Sequence, residues 1–583
     1  MKNKLILTIA VVVVFCTTIK LSAQADINRL KKDVYTLAAD SFLGRKPATK
    51  GDSLSQQYIL NQIKLSSAKL LNQKGLQPVS FISTIEILPD NTLKIGNDEM
   101  QLRRDFVPAL FSSSQTIEST AIFAGYGLYL KNGDSTIFDH YFQKNVEGKW
   151  VILLQDAPKS MKISKRELRD RSKVLTAKDK GAAGVLILVN KPNIPEQQYD
   201  KVSSNSGIPV IYINRDVFNQ LCSVDHFNAD TLIANASSHK FYTPVSFNTL
   251  IKAKTNLKPV YATSNNIMAI TVGSDAKLKD EYVVVGAHFD HLGMGGEGSG
   301  SRKPDSIAVH NGADDNASGV AGILELMRLV ENSKQKPKRS IIWVAFTGEE
   351  MGLLGSKEFV KNPPVELSKI KAMINLDMIG RMNDSTPRLS ISGTGTGHVF
   401  QSILDSLSKL EPFSVKLNPD GYGPSDHASF YSKNIPVLFI NSGIHTDYHT
   451  PMDDREKINY KRMVQIVDFT EQLLYVIANY PMNIEFKETR SQQEQSYRDT
   501  KITLGIIPDV AGTTEGLLVE GVKAGGYADK AGLLKGDIII GMDGKLVKNI
   551  YDYMSRLNQL EIGNLLHIEI LRNGKKELLQ IQL

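Results

Sequence analysis

The chain has 583 residues, 42% hydrophobic and 22% charged, a plain globular composition with material for large cores but too long for one ordinary domain. Its formal charge is +7, of which Lys2, Lys4 and Lys20 in an N-terminal leader supply three; the remaining +4, with no basic-aromatic stripe, gives no footing for nucleic acid. Cys16 and Cys222 are the two cysteines, and without the leader Cys222 stands alone, so no intramolecular disulfide is expected and Cys222 reads as a small buried hydrophobe.

In chain order, two lysines precede an apolar run from Leu5 to Cys16, and small residues follow at Leu21-Ser22-Ala23-Gln24-Ala25. This layout predicts a signal peptide over residues 1–25, with an apolar core too short for a stable membrane span. Phe15 before Cys16 has the wrong size for a lipid-attachment motif. The mature protein is therefore expected to be secreted or periplasmic.

Residues 26–114 open with a helical pattern (Ile27, Leu30, Val34, Leu37, Ala38) and a second from Leu54 to Leu71. Over residues 115–247 the texture changes to short β-branched runs split by glycines, among them Trp150 to Leu154, Gly184 to Val189 and Ile208 to Ile213, with a helix predicted over Lys173 to Lys180. These segments resemble a protease-associated (PA) domain inserted into a peptidase. Residues 248–480 alternate strands (Tyr282 to Gly286, Ser340 to Phe346, Ala372 to Leu376, Leu389 to Ser392, Val437 to Ile440) with helices (Gly319 to Val330, Val399 to Leu410, Tyr460 to Ala478). That alternation predicts an α/β fold, a mostly parallel mixed sheet flanked by helices, whose ligands gather at strand ends. Residues 481–500 are polar and read as a linker. Residues 501–583 are compact and β-rich, and Leu504-Gly505-Ile506-Ile507 with Ala531 to Ile539 resemble a PDZ domain. That resemblance implies capture of a peptide C-terminus, the peptide adding a strand.

The chemistry is concentrated between Ala287 and Asp453. His288 and Asp290 follow a strand, and alternate residues of an extended segment share a face, so Asp290 is placed to hold the His288 imidazole. Gly312 to Gly319 is a turn entering a helix, where either Asp314 or Asp315 can bridge two cations. Glu349 and Glu350 sit together at a strand exit; one can ligate a metal while the other stays free as a general base. Asp377 ends another strand and His449 supplies a last imidazole. Imidazole and carboxylate without thiolate suit zinc in an open catalytic site. His291, His310 and His445 lie close in sequence but are surplus to a filled ligand set, and Pro424 to His427 are expected to line the site.

Taken together these motifs, with Asp40 to Arg45 near the mature N-terminus, resemble the M28 family of zinc aminopeptidases. The resemblance implies a phosphorylase/hydrolase-like zinc peptidase fold. It implies two Zn2+ ions held by His288, Asp315, Glu350, Asp377 and His449, with Asp315 bridging. Glu349 is then the general base and Asp290 its catalytic companion behind His288. The substrates are peptides losing N-terminal residues, with the free α-amine near Asp377. Three rivals stand beside this reading. A glutaminyl cyclase uses a similar set around a single zinc. A peptide-binding PDZ scaffold with a vestigial peptidase would show lost ligands. A carboxypeptidase or dipeptidase needs a basic group for the substrate carboxylate, for which Arg45 and Arg381 are candidates.

Overall fold

The structure, a computed structural model, describes residues 24–132, 135–158, 163, 168–191, 193–197, 199, 205–238, 240–296, 298–489, 502–508, 516–522, 525–548, 550–557 and 560–583. All but the last two residues of the expected leader, and residues 490–500 of the expected linker, lie outside this set. The chain divides into two compact units, residues 1–81 with 262–496, and residues 82–261 with 497–583.

The first unit is built on a nine-stranded sheet. At its centre Ser340–Phe346, Tyr282–His288, Ile370–Leu376 and Val437–Asn441 lie side by side and parallel. Leu257–Thr271 adds an antiparallel neighbour on one side and Arg388–Ser392 on the other. This is the mixed, mostly parallel α/β sheet expected. The apolar runs that gave no period-2 signal are divided between two cores. Val283, Val285 and Ala287 face one side with the helices Ile27–Leu37, Gly319–Asn332 and Tyr460–Asn479. Val284, Ile342 and Val344 face the other with Phe359 and Phe430. Strands covered on both faces have no reason to alternate. The register sets His288 opposite Phe346, and Leu376 opposite Ile440, so the C-terminal ends of all four parallel strands finish at one edge.

Two boundaries differ from those expected. Residues 481–489 are not linker-like: Ile484 is 3% exposed, Phe486 bridges to Gly397, and Thr489 accepts and donates hydrogen bonds with Tyr431. Two apolar anchors in a polar stretch were enough to pin it. In the second unit the insert begins before residue 115. Phe106–Pro108 joins a six-stranded sheet beside Val210–Ile213, and Thr92–Ile95 pairs with Ile251–Lys254 in a separate four-stranded sheet. Strands of three or four residues carry too little periodicity to announce themselves.

The same unit contains the β-rich tail, where Leu517–Val522, Ile538–Met542, Leu565–Arg572 and Lys575–Gln582 pair antiparallel around Leu504, Val519, Ile539 and Ile568. Cys222 is buried on the insert's helix Arg215–Val224, and burial pushes its thiol up to about 11, which keeps it unreactive at neutral pH. Among the described residues no helix is long and apolar enough to cross a membrane.

Candidate metal centre

The edge where the four parallel strands end collects the acids and imidazoles singled out above. His288 is the last residue of its strand and its ring is 1% exposed. Its Nδ1 lies 3.2 Å from the backbone carbonyl of Asp290, so Nδ1 carries a proton and Nε2 is the ring nitrogen that faces inward. There Nε2 stands 3.3 Å from Asp315 Oδ1 and 3.5 Å from Asp377 Oδ1. On the other side of Asp315, Oδ2 lies 3.1 Å from His449 Nε2, which is 3.2 Å from Glu350 Oε2. Four donors around a zinc at about 2.0–2.1 Å have edges of about 3.3 Å. The distances from each imidazole to its two carboxylates are near that edge, and each trio uses a different oxygen of Asp315; His291, Asp315 and Glu350 also lie close enough together to hold an ion.

Other residues reach this geometry indirectly. Asp290 does not hold His288 by its carboxylate, which is 3.7 Å away. Its two oxygens instead accept from the backbone N–H groups of Glu349, at 3.1 Å, and Glu350, at 3.3 Å. Asp290 therefore fixes the turn that carries both glutamates. Asp453, four residues beyond His449, does the same for the neighbouring turn, accepting from the N–H groups of Asp314 and Asp315. Asp314 points away from the pair of trios; its Oδ1 accepts from Gly380 N and Ser318 Oγ.

Arg45 is fully buried, and its guanidinium donates to the carbonyls of Leu37, Phe289, Asn311 and Gly312. It ties together the two loops that carry His288 and Asp315. With four of its five N–H donors on backbone and the side chain fully buried, it is closed to a substrate carboxylate. Arg381, by contrast, holds Asp447 through Nη2 at 3.1 Å and keeps Nη1 without a hydrogen-bond partner among the described residues.

His291, surplus to the expected ligand set, is brought to the site by the fold. Its Nδ1 lies 2.8 Å from Glu350 Oε1 and 3.8 Å from Asp315 Oδ2. The first is a hydrogen-bond distance and the second exceeds a tetrahedral edge, so the ring grips the oxygen of Glu350 that faces away from His449. A strand-exit His-x-Asp-x-x... pattern offers no periodicity that separates a ligand from its support, and only the count of histidines argued against it. His310 is occupied by Ser301 Oγ and Ala308 O, and His445 stands beside Asp314. His427 is buried flat against Phe439 with ring centroids 4.5 Å apart, and burial pushes its pKa down to about 3, so it is neutral.

Five acids and three imidazoles share this water-poor edge. Burial raises the Asp315 carboxyl, but the surrounding imidazoles of His291, His288 and His449 outweigh it and hold the group well below its ordinary range. Glu350 is likewise brought down to about 2 by His291 and His449 against burial and the Asp315 charge. Glu349 goes the other way: burial, with Glu350 and Asp377 adding to it against His288, raises its carboxyl well above the usual range. The imidazoles answer the acids, His449 reaching about 11 as Asp315 and Glu350 overcome its desolvation. Buried Asp377 Oδ1 has no hydrogen-bond partner among the described residues, and Asp315 Oδ2 faces imidazole nitrogens, His449 Nε2 at 3.1 Å and His291 Nδ1 at 3.8 Å. Excess buried carboxylate and an unpartnered oxygen fit a site for cations.

A pH dependence follows for metal-free protein. His449 and His288 keep protons in the fold that the unfolded chain releases near its ordinary imidazole value, about 6.5. Their contribution to stability is complete below that value and is lost as pH rises toward the folded one. Glu349 adds the same sign, whereas depressed Asp315 and Glu350 contribute fully and evenly above about pH 5. The melting temperature of chelator-treated protein is expected to fall between about pH 7 and 10, and that of zinc-loaded protein to stay nearly level. Parallel profiles would contradict the assignment.

Comparison with known proteins adds a second line. Residues 266–474 match the family model of peptidase family M28, residues 118–221 that of the PA domain and residues 484–583 that of the PDZ domain. The chain is 31% identical over 223 residues to the uncharacterized protein YfbL of Escherichia coli (strain K12), covering 33% of this chain and 66% of that one. It is 27% identical over 352 residues to aminopeptidase YwaD of Bacillus subtilis (strain 168), covering 58% and 67%. Against the first curated relatives it spans about half to two thirds of their length. Among solved structures it is similar to an aminopeptidase from Aneurinibacillus sp. strain AM-1, at 20% identity and TM-score 0.47 over 80% of this chain and 97% of that one. A zinc aminopeptidase from Bacillus subtilis aligns at 20% identity and TM-score 0.46, over 78% and 95%.

Proposed function

Because this chain is a peptidase family M28 protein carrying a PA and a PDZ domain, we infer that it is an exported zinc aminopeptidase working with two ions on the free N-termini of peptides. The observation that carries the reading is Asp315, whose two oxygens each complete a separate trio of donors. His288, Asp315 and Asp377 would hold one ion; Asp315, Glu350 and His449 the other. When bound, such a pair supplies an acidified water and positive charge for the developing oxyanion.

The chain's own residues do the rest. Glu349 Oε2 stands 3.9 Å from His288 Nε2, beyond ligand spacing, with 11% of its side chain open. Its carboxylate, outside both trios, accepts the proton of the attacking water and returns it to the departing amine. Asp290 keeps Glu349 in place through its backbone N–H. The free α-amine of the substrate would lie beside Asp377 and the ion it helps to hold. The tail would take peptide C-termini, and the apolar leader supports secretion or periplasmic residence.

The test is metal content together with product analysis on an unblocked short peptide and its N-acetylated twin. Two zincs per chain, with stepwise N-terminal loss from the unblocked peptide alone, is the expected result. One zinc with pyroglutamate as product would make the chain a cyclase, and cleavage indifferent to acetylation would overturn the aminopeptidase assignment.

A further inference from the structure

The unit formed by residues 82–261 and 497–583 contains two ion pairs that join the PA segment to the PDZ segment. Arg171, on the helix Asp170–Asp179, donates from Nη1 to Asp552 Oδ1 at 2.8 Å. Arg556, on the helix Ile550–Leu557, donates from Nη2 to Asp179 Oδ1 at 2.8 Å and makes a second bond, from Nη1 to Oδ2. The pairs are reciprocal: each helix contributes one arginine and one aspartate. All four side chains are largely withdrawn from water, with Asp552 at 5% and Arg556 at 3% exposure, and Arg171 and Asp179 at 13% and 15%.

Burial of this kind is costly for a charge without its partner. A surface that hides an arginine and an aspartate is therefore complementary only to a surface presenting the opposite two in the right order. The helix Ile550–Leu557 is shaped for such a division of labour. Tyr553 and Leu557 belong to the core of the tail, and Ile550 and Met554 pack half-buried against it. Asp552 and Arg556, one turn apart, share a different stripe, about 120–160° from Ile550 and Met554 at 3.6 residues per turn. Asp552 Oδ2 also accepts from Lys548 N, which anchors the carboxylate from its own side. One feature opposes the contact: Lys178 and Lys548 converge on Gly207, where a Cβ would stand 2.7 Å and 3.1 Å from their ammonium nitrogens. Lys178 Nζ offsets part of this by donating to Ser206 O at 2.8 Å.

We propose that the PDZ domain is docked on the PA domain of the same chain through these two reciprocal ion pairs, and is carried as one body with it. The partner of this charged helix stripe is the chain's own insert. Peptide captured by the tail is thereby delivered from a fixed place on the PA domain.

The two lysines at the contact provide the probe. Full-length protein at low concentration is treated with a short amine-reactive cross-linker, and the monomer is digested for mass spectrometry. A Lys178–Lys548 link is expected in the wild type. Arg556→Asp, which sets two aspartates face to face, is expected to lower its yield at least about tenfold. Adding Asp179→Arg to that variant restores the pair with its sign exchanged and is expected to return the yield to within about threefold. Links within the PA segment report that each variant is folded. Absence of the Lys178–Lys548 link from wild type, an unchanged yield in Arg556→Asp, or a charge-exchanged variant that stays unlinked would each overturn the docking.

Discussion

Replacing Glu349 by Gln is expected to lower kcat by about 10²–10⁴-fold while the zinc content stays at the wild-type level. The amide keeps the volume and most hydrogen-bonding capacity of the acid, so the turn held by Asp290 through the backbone of Glu349 and Glu350 is left intact. What it removes is a group able to take up a proton. Glu349 lies outside both trios, with its oxygen 3.9 Å from the His288 ring nitrogen, so ion binding has no direct call on it. Measurement of turnover and bound zinc on the same preparation decides the matter. Turnover near that of the wild type would remove Glu349 from proton transfer, and loss of zinc in step with activity would make it a ligand.

On the proposed two-ion reading, His291→Ala is expected to weaken the ion held by Asp315, Glu350 and His449 by about 10–100-fold, the range for losing a group that orients a metal-bound carboxylate. His291 Nδ1 holds Glu350 Oε1 at 2.8 Å, which leaves Oε2 facing His449. Without the ring, Glu350 is free to turn and the trio of Asp315, Glu350 and His449 loses a fixed edge. The trio of His288, Asp315 and Asp377 makes no use of His291, so one ion per chain should persist. Competitive chelator titration reads the two affinities, and X-ray absorption counts imidazoles per pair of zincs. Two imidazoles in the wild type fit the supporting role; three would make His291 a ligand, and unchanged affinities in His291→Ala would leave it no part in the site.

Both predictions rest on residues whose chemistry is visible in the chain before folding, but to different degrees. The strand runs ending at His288, Phe346 and Leu376 are local features, and each is followed within a few residues by His288 itself, Glu349-Glu350 or Asp377. Runs of that kind predict their own strands, and an α/β sheet places strand ends together, so a meeting of these side chains was foreseeable. The function of Asp290 was less so. The same two-residue spacing suggested a carboxylate behind the imidazole, whereas the fold turns that carboxylate toward the backbone of a loop 59 residues away. Arg45 is a stronger case. Its motif was recognisable, but its fate, enclosed by four carbonyls including that of Asn311, 266 residues on, belongs to the packed core.

Sequence alone thus determined what depends on near neighbours: the α/β class, the order of PA, peptidase and PDZ segments, and the acids and imidazoles waiting at the strand ends. These follow from hydrophobic runs and turn residues whose effects act over a few positions. Tertiary structure decided which oxygen of Asp315 faces which imidazole, that His291 serves Glu350, and that Arg45 is sealed away from substrate. It also decided that Phe486 binds a polar segment to the peptidase sheet and that Arg171 meets Asp552 across 381 positions. The reason is common to all of these: a contact between residues distant in sequence is selected by the packing and desolvation of everything around it, and no local pattern encodes that sum.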